Sequence, residues 1–336
     1  MFFSKQNSIL GVDIGTANIK IAQVSHQKVP ILETYGMVNT ANQLGGKDGE
    51  AVIGQMAGVL KTLISKAGVT TKKCVISFPN SAVFTSVLEF PKMGEKELNS
   101  AVEFEAKKYV PLALSEIDLS WSVISGLESP EGNQKVLLTA VPKLITKNYM
   151  EVFALAGLEP QVGEIEALAL IRSLIGNLPL NCVIIDIGAR TTGLNIIENG
   201  FLKLSRNLNI GGDTITNKIA QALNVSIVRA EQFKKDFGVS GSTFIPETIQ
   251  PVLNIIKTEV KQLLTIYKSH NIQVDKIILV GGGANLPGIV KFFEELGTIE
   301  LGDPLKAVGY SENVAPILKR YALNLPVAIG LALRKE

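Results

Sequence analysis

The chain is poor in the residues on which zinc sites and nucleophilic triads depend. Its 336 residues include two cysteines, two histidines and one tryptophan. His26 and His270 have no cysteine or second histidine at ligand spacing, which argues against a zinc site or a Ser/His/Asp triad. Cys74 and Cys182 each begin an apolar, strand-like run. We expect two buried free thiols rather than the one disulfide that two cysteines also permit.

The chain also lacks a strong net charge and a long apolar run. A net charge of +2 gives no support to a nucleic-acid surface, which requires a basic face. No apolar run approaches the roughly 20 residues that span a bilayer, and the N-terminus has no signal-peptide hydrophobic region. We therefore expect a cytoplasmic protein, either free in the cytosol or docked to a component of a membrane, with no nucleic-acid partner and no direct membrane insertion.

What the chain does have is enough apolar material for a large core. Its composition is 46% hydrophobic and 19% charged, which is typical of a well-packed globular protein. A length of 336 residues is sufficient for two domains.

Two stretches of the sequence match each other. ILGVDIGTANIK occupies residues 9–20 and VIIDIGARTT occupies residues 183–192, and each contains an apolar strand that ends in Asp-Ile-Gly. Glycine allows a tight turn, and successive backbone N–H groups in such a turn form an anion-binding concavity. An aspartate beside a phosphate requires a bound cation, and magnesium prefers oxygen ligands and water. The pair of turns therefore predicts a two-lobed protein that holds Mg-nucleotide between its halves.

The hydrophobic periodicity around these motifs predicts a mixture of strands and helices. Strands are expected at residues 9–14, 18–24, 29–38, 74–79, 83–90, 118–125, 135–141 and 276–280. Helices are expected at residues 50–67, 95–109, 144–156, 165–175, 214–235, 247–269 and 326–333. Residues 42–49 are a glycine-rich polar loop that lacks the Gly-x4-Gly-Lys-Ser/Thr spacing of a P-loop.

Two further glycine-rich segments follow the second Asp-Ile-Gly turn. They are Gly211-Gly212 and KIILVGGGANLPG at residues 276–288, a strand that runs into a turn. With the two earlier turns they resemble, in chain order, the first phosphate loop, second phosphate loop, connecting loop and adenosine loop of the actin-like ATPase superfamily. The four motifs span nearly the whole chain, and together they are far more specific than a single Asp-x-Gly.

The resemblance implies ATP and Mg²⁺ as cofactors and gives roles to particular residues. The implied metal residues, acting largely through water, are Asp13 and Asp186. Glu166 stands just upstream of the second phosphate loop, where the superfamily often places its water-orienting residue, and is the implied catalytic residue. The implied nucleotide-binding residues are Gly15, Thr16, Asn18, Lys20, Gly188, Thr191, Gly211, Gly212, Glu231, Lys234, Gly282, Gly283 and Asn285.

Several of these residues have a simpler alternative. Lys20 is otherwise an exposed strand residue, Glu231 and Lys234 an i,i+3 surface pair, and Glu166 a helix-face carboxylate without a catalytic task. Ala189-Arg190 stands where many relatives carry glycine in the second loop, which places hydrolysis in doubt more than binding. We therefore expect ATP binding with at most slow ATP hydrolysis.

The resemblance also implies a fold class and a division of the chain. The expected fold is an α/β, two-lobed actin-like ATPase fold with an inserted small α+β subdomain. The first lobe comprises residues 1–80, 161–180 and 312–336, the insert residues 81–160 and the second lobe residues 181–311.

The insert points to one branch of the superfamily. Residues 83–141 resemble the subdomain shared by the FtsA and PilM families, and the PilM family is favoured by LEFP at 88–91, EKEL at 95–98 and DLSW at 118–121. FtsA relatives usually add a C-terminal linker and an amphipathic membrane helix. Residues 331–336 are too short for such an anchor, and we expect them to pack back onto the first lobe.

Membership of the PilM family implies a role in type IV pilus assembly. The chain would bind ATP, capture the N-terminal tail of a bitopic PilN-like membrane protein and contact other pilus assembly proteins. It would be cytoplasmic and peripheral at the inner membrane through these partners. Candidate residues of the tail-binding groove are Phe84, Leu88, Phe90 and Tyr109, with the core of the insert as their alternative.

Two other functions stay open on the sequence. The first is a filament-forming bacterial actin homologue of FtsA type, acting in cell division or shape, which implies a homo-oligomer. The second is a metabolic kinase of the same fold, for which the sequence offers no evident acceptor pocket.

Overall fold

The computed structural model describes residues 7–40, 49–128, 132–240, 244–269 and 272–335. The glycine-rich loop predicted at residues 42–49 therefore lies outside the described residues, apart from Gly49.

Strands and helices are interspersed along the described chain. The strands are β1 (Ser8–Ile14), β2 (Asn18–Ser25), β3 (Ile31–Asn39), β4 (Lys73–Phe78), β5 (Phe84–Phe90), β6 (Ile117–Glu128), β7 (Gln134–Pro142), β8 (Glu159–Ile165), β9 (Cys182–Ile187), β10 (Thr192–Glu198), β11 (Phe201–Leu208), β12 (Lys276–Val280) and β13 (Ile299–Leu301). The helices are α1 (Glu50–Ala67), α2 (Glu95–Tyr109), α3 (Lys143–Ala156), α4 (Glu166–Leu174), α5 (Gly212–Leu223), α6 (Ile227–Phe237), α7 (Phe244–Ser269), α8 (Ile289–Phe293), α9 (Ala315–Tyr321) and α10 (Pro326–Ala332).

Two five-stranded sheets share one topology. The first sheet has the order β3-β2-β1-β4-β8 and the second β11-β10-β9-β12-β13. In each, an antiparallel meander of three strands is followed by two strands that pair in parallel. The first two strands of each meander flank an Asp-Ile-Gly turn, so the sequence repeat corresponds to a structural repeat.

A third, antiparallel sheet has the order β5-β7-β6. Helix α2 covers one face, because Leu98, Val102 and Ala106 recur every four residues and are buried against that sheet. Val87 and Leu137 belong instead to the apolar cluster that reaches the second sheet. The third sheet is therefore packed between α2 and the second sheet.

Helices α4 and α10 lie in the core between the first two sheets. A Cβ on Gly11 of β1 would lie 2.0 Å from the Ala328 carbonyl oxygen, and one on Gly330 would lie 1.9 Å from the Ala169 carbonyl oxygen. Glycine thus permits α10 to contact both β1 and α4 backbone to backbone. The expectation that the last residues pack onto the first sheet is confirmed.

The structure corrects the helix predicted at residues 214–235. The chain forms two helices there, because Asn224 adopts a left-handed conformation (φ 52°) and ends α5. The Ser226 hydroxyl then accepts a hydrogen bond from the Arg229 N–H and begins α6. Strands β8, β11 and β13 are not among those predicted from the sequence.

Both thiols are free and buried, as predicted. Burial raises the pKa of Cys74 and of Cys182 to about 12, so neither is a reactive thiolate near neutral pH. Within the described ranges, no helix is long and apolar enough to cross a membrane.

Candidate functional site

A cleft of about 740 Å³ opens between the first and second sheets. Fifteen of the sixteen residues proposed from the sequence line it: Asp13, Gly15, Thr16, Asn18, Lys20, Glu166, Asp186, Gly188, Thr191, Gly212, Glu231, Lys234, Gly282, Gly283 and Asn285. The sixteenth, Gly211, packs directly against the second turn, where a Cβ would lie 2.5 Å from the Ala189 carbonyl oxygen.

The two Asp-Ile-Gly turns have the same hydrogen bond. The Gly15 N–H donates to the Asn18 carbonyl at 3.0 Å, and the Gly188 N–H donates to the Thr191 carbonyl at 2.9 Å. In the first turn, Thr16 and Ala17 both line the cleft. Neither of their backbone N–H groups makes a backbone hydrogen bond to a described residue. Such N–H groups are suited to phosphate oxygens.

The start of α5 fixes the second turn from behind. The Gly212 N–H donates to the Gly188 carbonyl at 2.9 Å, and the Asp213 N–H donates to the Ala189 carbonyl at 2.7 Å. A side chain on Gly211 would separate these groups, which explains a Gly-Gly pair at this point.

A buried carboxylate and an ammonium group meet below the first turn. Lys20 Nζ donates to Asp13 Oδ2 at 2.9 Å, and Ser77 Oγ donates to Asp13 Oδ1 at 3.2 Å. Burial lowers the pKa of Lys20, but the carboxylates of Asp13, Asp186 and Glu166 outweigh it, so the pKa is raised and the ammonium form is favoured. The alternative that Lys20 is merely an exposed strand residue is therefore wrong, since it is mostly buried and lines the cleft.

Two more carboxyl groups face this pair. Burial raises the pKa of Asp186; Lys20 opposes that effect and Asp13 adds to it. Burial, and then Asp13 and Asp186, raise the pKa of Glu166 to about 8. Glu166 begins α4, and its Oε2 accepts a long hydrogen bond of 3.5 Å from the Asn80 N–H.

This concentration of carboxyl oxygens suits a divalent cation. Among the described residues, no three His, Cys, Asp or Glu side chains are grouped closely enough to hold a metal ion directly. A magnesium ion between Asp13 and Asp186 would therefore take most of its ligands from water and from phosphate, as magnesium commonly does.

The opposite end of the cleft is built on α5 and α6. Lys234 Nζ contacts Glu231 Oε2 at 2.6 Å, Thr216 Oγ1 at 2.8 Å and the Gly212 carbonyl at 3.1 Å. Burial would raise the pKa of Glu231, but hydrogen bonds from Lys234 and Thr216 outweigh it and lower the pKa. Glu231 and Lys234 are thus an internal i,i+3 pair that ties α6 to α5, as well as part of the cleft wall.

Several residues that line the cleft are not among those predicted from the sequence. Gly283, by contrast, is one of the predicted residues, and it is glycine because a Cβ there would lie 2.2 Å from Ile187 Cγ2 of β9. The residues that were not predicted belong to no local motif and come from segments that are distant in sequence: Met37, Asn39, Asn80, Ser81, Asn207, Arg320, Tyr321 and Asn324.

Two of the candidate groove residues are core residues. Leu88 and Phe90 are buried between the third sheet and α2, so the prediction that they contact a partner is wrong. Phe84 is partly buried against the same cluster, and Tyr109, at the end of α2, remains 47% exposed.

The raised pKa of Glu166 predicts a pH-dependent stability. In the folded chain without nucleotide or metal the carboxyl keeps its proton up to about pH 8, whereas its ordinary pKa is 4.5. Between about pH 4.5 and pH 8 the folded chain therefore holds a proton that the unfolded chain has lost, and the free energy of unfolding falls as pH rises through this range. We expect Glu166→Gln to be more stable than the parent above pH 8, with the difference shrinking towards pH 4.5.

Thermal unfolding across this pH range, in chelator and without nucleotide, measures the difference. Glu151→Gln, an exposed substitution on α3, is the matched control and should leave the parent's pH profile unchanged. A constant offset between Glu166→Gln and the parent at every pH would contradict the assignment.

The class of fold is shared with proteins of known structure. MreB5 of Spiroplasma citri bound to AMPPNP superposes with a TM-score of 0.56 over 95% of this chain and 97% of that one, at 16% identity. The two matching sheets and the cleft between them define the actin-like ATPase fold, with the third sheet as its inserted subdomain. Residues 11–336 match the family model described as type IV pilus assembly protein PilM, and the chain belongs to that family.

Two further comparisons place the chain within the fold. A solved structure of the PilM-PilN type IV pilus biogenesis complex is 27% identical and covers 97% of this chain and 98% of that one, with a TM-score of 0.86. Cell division protein FtsA of Streptococcus pneumoniae serotype 2 (strain D39 / NCTC 7466) is 26% identical over 87% of this chain and 74% of FtsA.

Proposed function

We propose that this chain is an ATP-binding scaffold of type IV pilus assembly that captures the N-terminal tail of a bitopic, PilN-like inner-membrane protein. The observation that supports nucleotide binding is the pair of Asp-Ile-Gly turns that share one hydrogen-bond pattern and face one cleft. The partner is supported by the similarity to the PilM-PilN complex over nearly the whole chain. The chain would then be cytoplasmic and held at the membrane by that partner.

The residues of the cleft fit Mg-ATP. Asp13 and Asp186 would hold the magnesium ion largely through water, while the N–H groups of the two turns and Lys20 would bind the phosphates. The glycine-rich turn at 282–285 and the Glu231–Lys234 wall would enclose the adenosine. When bound, magnesium supplies positive charge that allows phosphate oxygens to lie among carboxylates.

Hydrolysis is expected to be slow at most. Arg190, where many relatives carry a glycine, is largely exposed and pairs with Asp213 at 3.5 Å rather than with Asp13 or Asp186. In the chain without nucleotide or metal, burial and then Asp13 and Asp186 raise the pKa of Glu166, which we propose to orient the attacking water, to about 8. In that state it is protonated near neutral pH and a poor base.

The proposed mechanism is a nucleotide-dependent equilibrium between an open and a closed cleft. ATP would contact both sheets and so favour the closed form. A tail bound to the chain senses this closure only if it binds the two forms with different affinity.

The experiment that tests the function is affinity purification of the tagged full chain from its native cell, with Mg-ATP or with chelator. We expect Mg-ATP to increase recovery of a single-pass membrane protein with a short cytoplasmic tail, together with other pilus assembly proteins, identified by mass spectrometry. Recovery of division-ring proteins, or of the chain alone as a polymer that scatters light with ATP, would contradict the proposal and favour an FtsA-type filament.

A further inference from the structure

The floor of the cleft contains a small gap surrounded by asparagine side chains. Gly193 on β10 pairs with Asp186 on β9 and with Asn207 on β11, so these three residues form one row across the second sheet and share a face. A Cβ on Gly193 would have as its nearest neighbours Asn195 Nδ2 and Asn80 Nδ2, both at 3.6 Å, and Asn207 Oδ1 at 3.7 Å. We call this space the Gly193 niche.

One of these amides is buried without a partner. Asn195 is 0% exposed, and its Nδ2 makes no hydrogen bond to the described residues. Its Oδ1 accepts a hydrogen bond from Ser205 Oγ at 2.7 Å, which fixes the amide plane and leaves Nδ2 directed at the niche. An unsatisfied buried N–H is costly, and native proteins commonly satisfy it with an ordered water molecule.

The charges around the niche select a neutral ligand. Gly193 lies opposite Asp186, and the backbone N–H of Asn80 donates to Glu166 Oε2, so carboxyl groups border the space. These carboxyl groups disfavour an anion, and the amide N–H donors of Asn195 and Asn80 disfavour a cation. Two amide N–H groups and one amide oxygen instead match a water molecule, which both accepts and donates and requires two to four polar partners.

We propose that the Gly193 niche is a water-binding site and that Asn195 is the residue that positions the water. The bound water bridges the two halves of the cleft, since Asn80 follows β4 of the first sheet while Asn195 and Asn207 belong to the second. Asn80 also lies four residues before β5 of the third sheet. On the proposed function, which this consequence assumes, the water connects the metal-binding end of the cleft to the inserted subdomain.

The test compares Gly193→Ala with Gly193→Ser. The backbone of Gly193 is not in the left-handed region, and the Cβ that alanine and serine share would make only ordinary contacts of 3.6–3.7 Å. Alanine displaces the water and leaves the amides without a partner, whereas the serine hydroxyl takes the place of the water. We expect alanine to lower the midpoint of thermal unfolding by roughly 2–4 °C and serine to restore most of that loss.

A Gly193→Ala variant that is at least as stable as Gly193→Ser would overturn the proposal. If the niche held no water, alanine would fill a gap and replace a flexible glycine in a strand, so it would stabilise the chain at least as much as serine. A high-resolution crystal structure of the full chain gives a second readout: a water peak within hydrogen-bonding distance of Asn195 Nδ2 in the parent and none in Gly193→Ala. A parent without that peak also overturns the proposal.

Both measurements are made without nucleotide, so they separate the niche from the proposed function. A chain that fails to bind Mg-ATP but shows the serine–alanine difference would refute only the nucleotide proposal. A chain that binds Mg-ATP but is at least as stable with alanine as with serine would refute only the niche.

Discussion

Replacing Asp186 with asparagine will weaken binding of Mg-ATP by about 100-fold, the upper range for loss of an outer-shell metal partner. The substitution keeps the shape of a half-buried side chain but removes one of the two carboxylates that face each other across the cleft. Isothermal titration calorimetry with excess magnesium measures the effect. In chelator the sign should reverse, because the variant no longer presents this negative charge to the phosphates.

A second acidic residue of the same cleft provides the control. Asp213 is half exposed and pairs with Arg190 rather than with Lys20. Asp213→Asn should change the affinity for Mg-ATP by less than about threefold, since exposed ion pairs contribute little. Equal losses in the two variants would indicate a general effect of charge in the cleft, and an unchanged affinity in Asp186→Asn would refute the model of two facing turns.

Adding one methyl group at Gly330 will destabilise the fold by about 3 kcal/mol, the upper range for overpacking of a core. The new Cβ would lie 1.9 Å from the Ala169 carbonyl oxygen and 2.5 Å from the carbonyl carbon. Both atoms are backbone in α4, so no side chain can rotate away, and α10 must separate from α4. Thermal and denaturant unfolding of Gly330→Ala measure the loss.

Gly54→Ala is the matched control for this prediction. Gly54 lies within α1, and no described heavy atom comes within 4 Å of a Cβ built on it. The same chemical change there should raise stability by roughly 0.5–1 kcal/mol, because alanine replaces glycine in a helix. If Gly330→Ala were as stable as the parent, the close contact between α4 and α10 would be wrong.

The parts of the molecule that the sequence revealed are those with a local cause. Each Asp-Ile-Gly turn carries within about ten residues its own apolar strand, its glycine and the strand that returns, so the hairpins β1–β2 and β9–β10 could be read directly. The same is true of α2, where Leu98, Val102 and Ala106 mark one buried face. Because the turns set the cleft, most of its proposed residues could be named in advance.

The parts that the sequence did not reveal depend on distant partners. Strand β8 contains Pro160 and Gly163, has an irregular apolar pattern and becomes a strand by pairing with β4. Tyr321 and Asn324 reach the cleft only because the end of the chain returns to the first sheet. Leu88 and Phe90 show an apolar face on β5, but nothing in β5 itself indicates that α2 covers that face.

The position of α10 also determines when the molecule can finish folding during its own synthesis. The second sheet is complete once the ribosome has added Leu301, and all its strands come from one continuous stretch. The first sheet begins with the earliest strands, yet Ala22 and Val24 of β2 are covered by Ala328 and Ile329. The emerging chain must therefore carry an uncovered apolar sheet face from the synthesis of β2 until α10 has been made, the condition under which nascent proteins depend on chaperones.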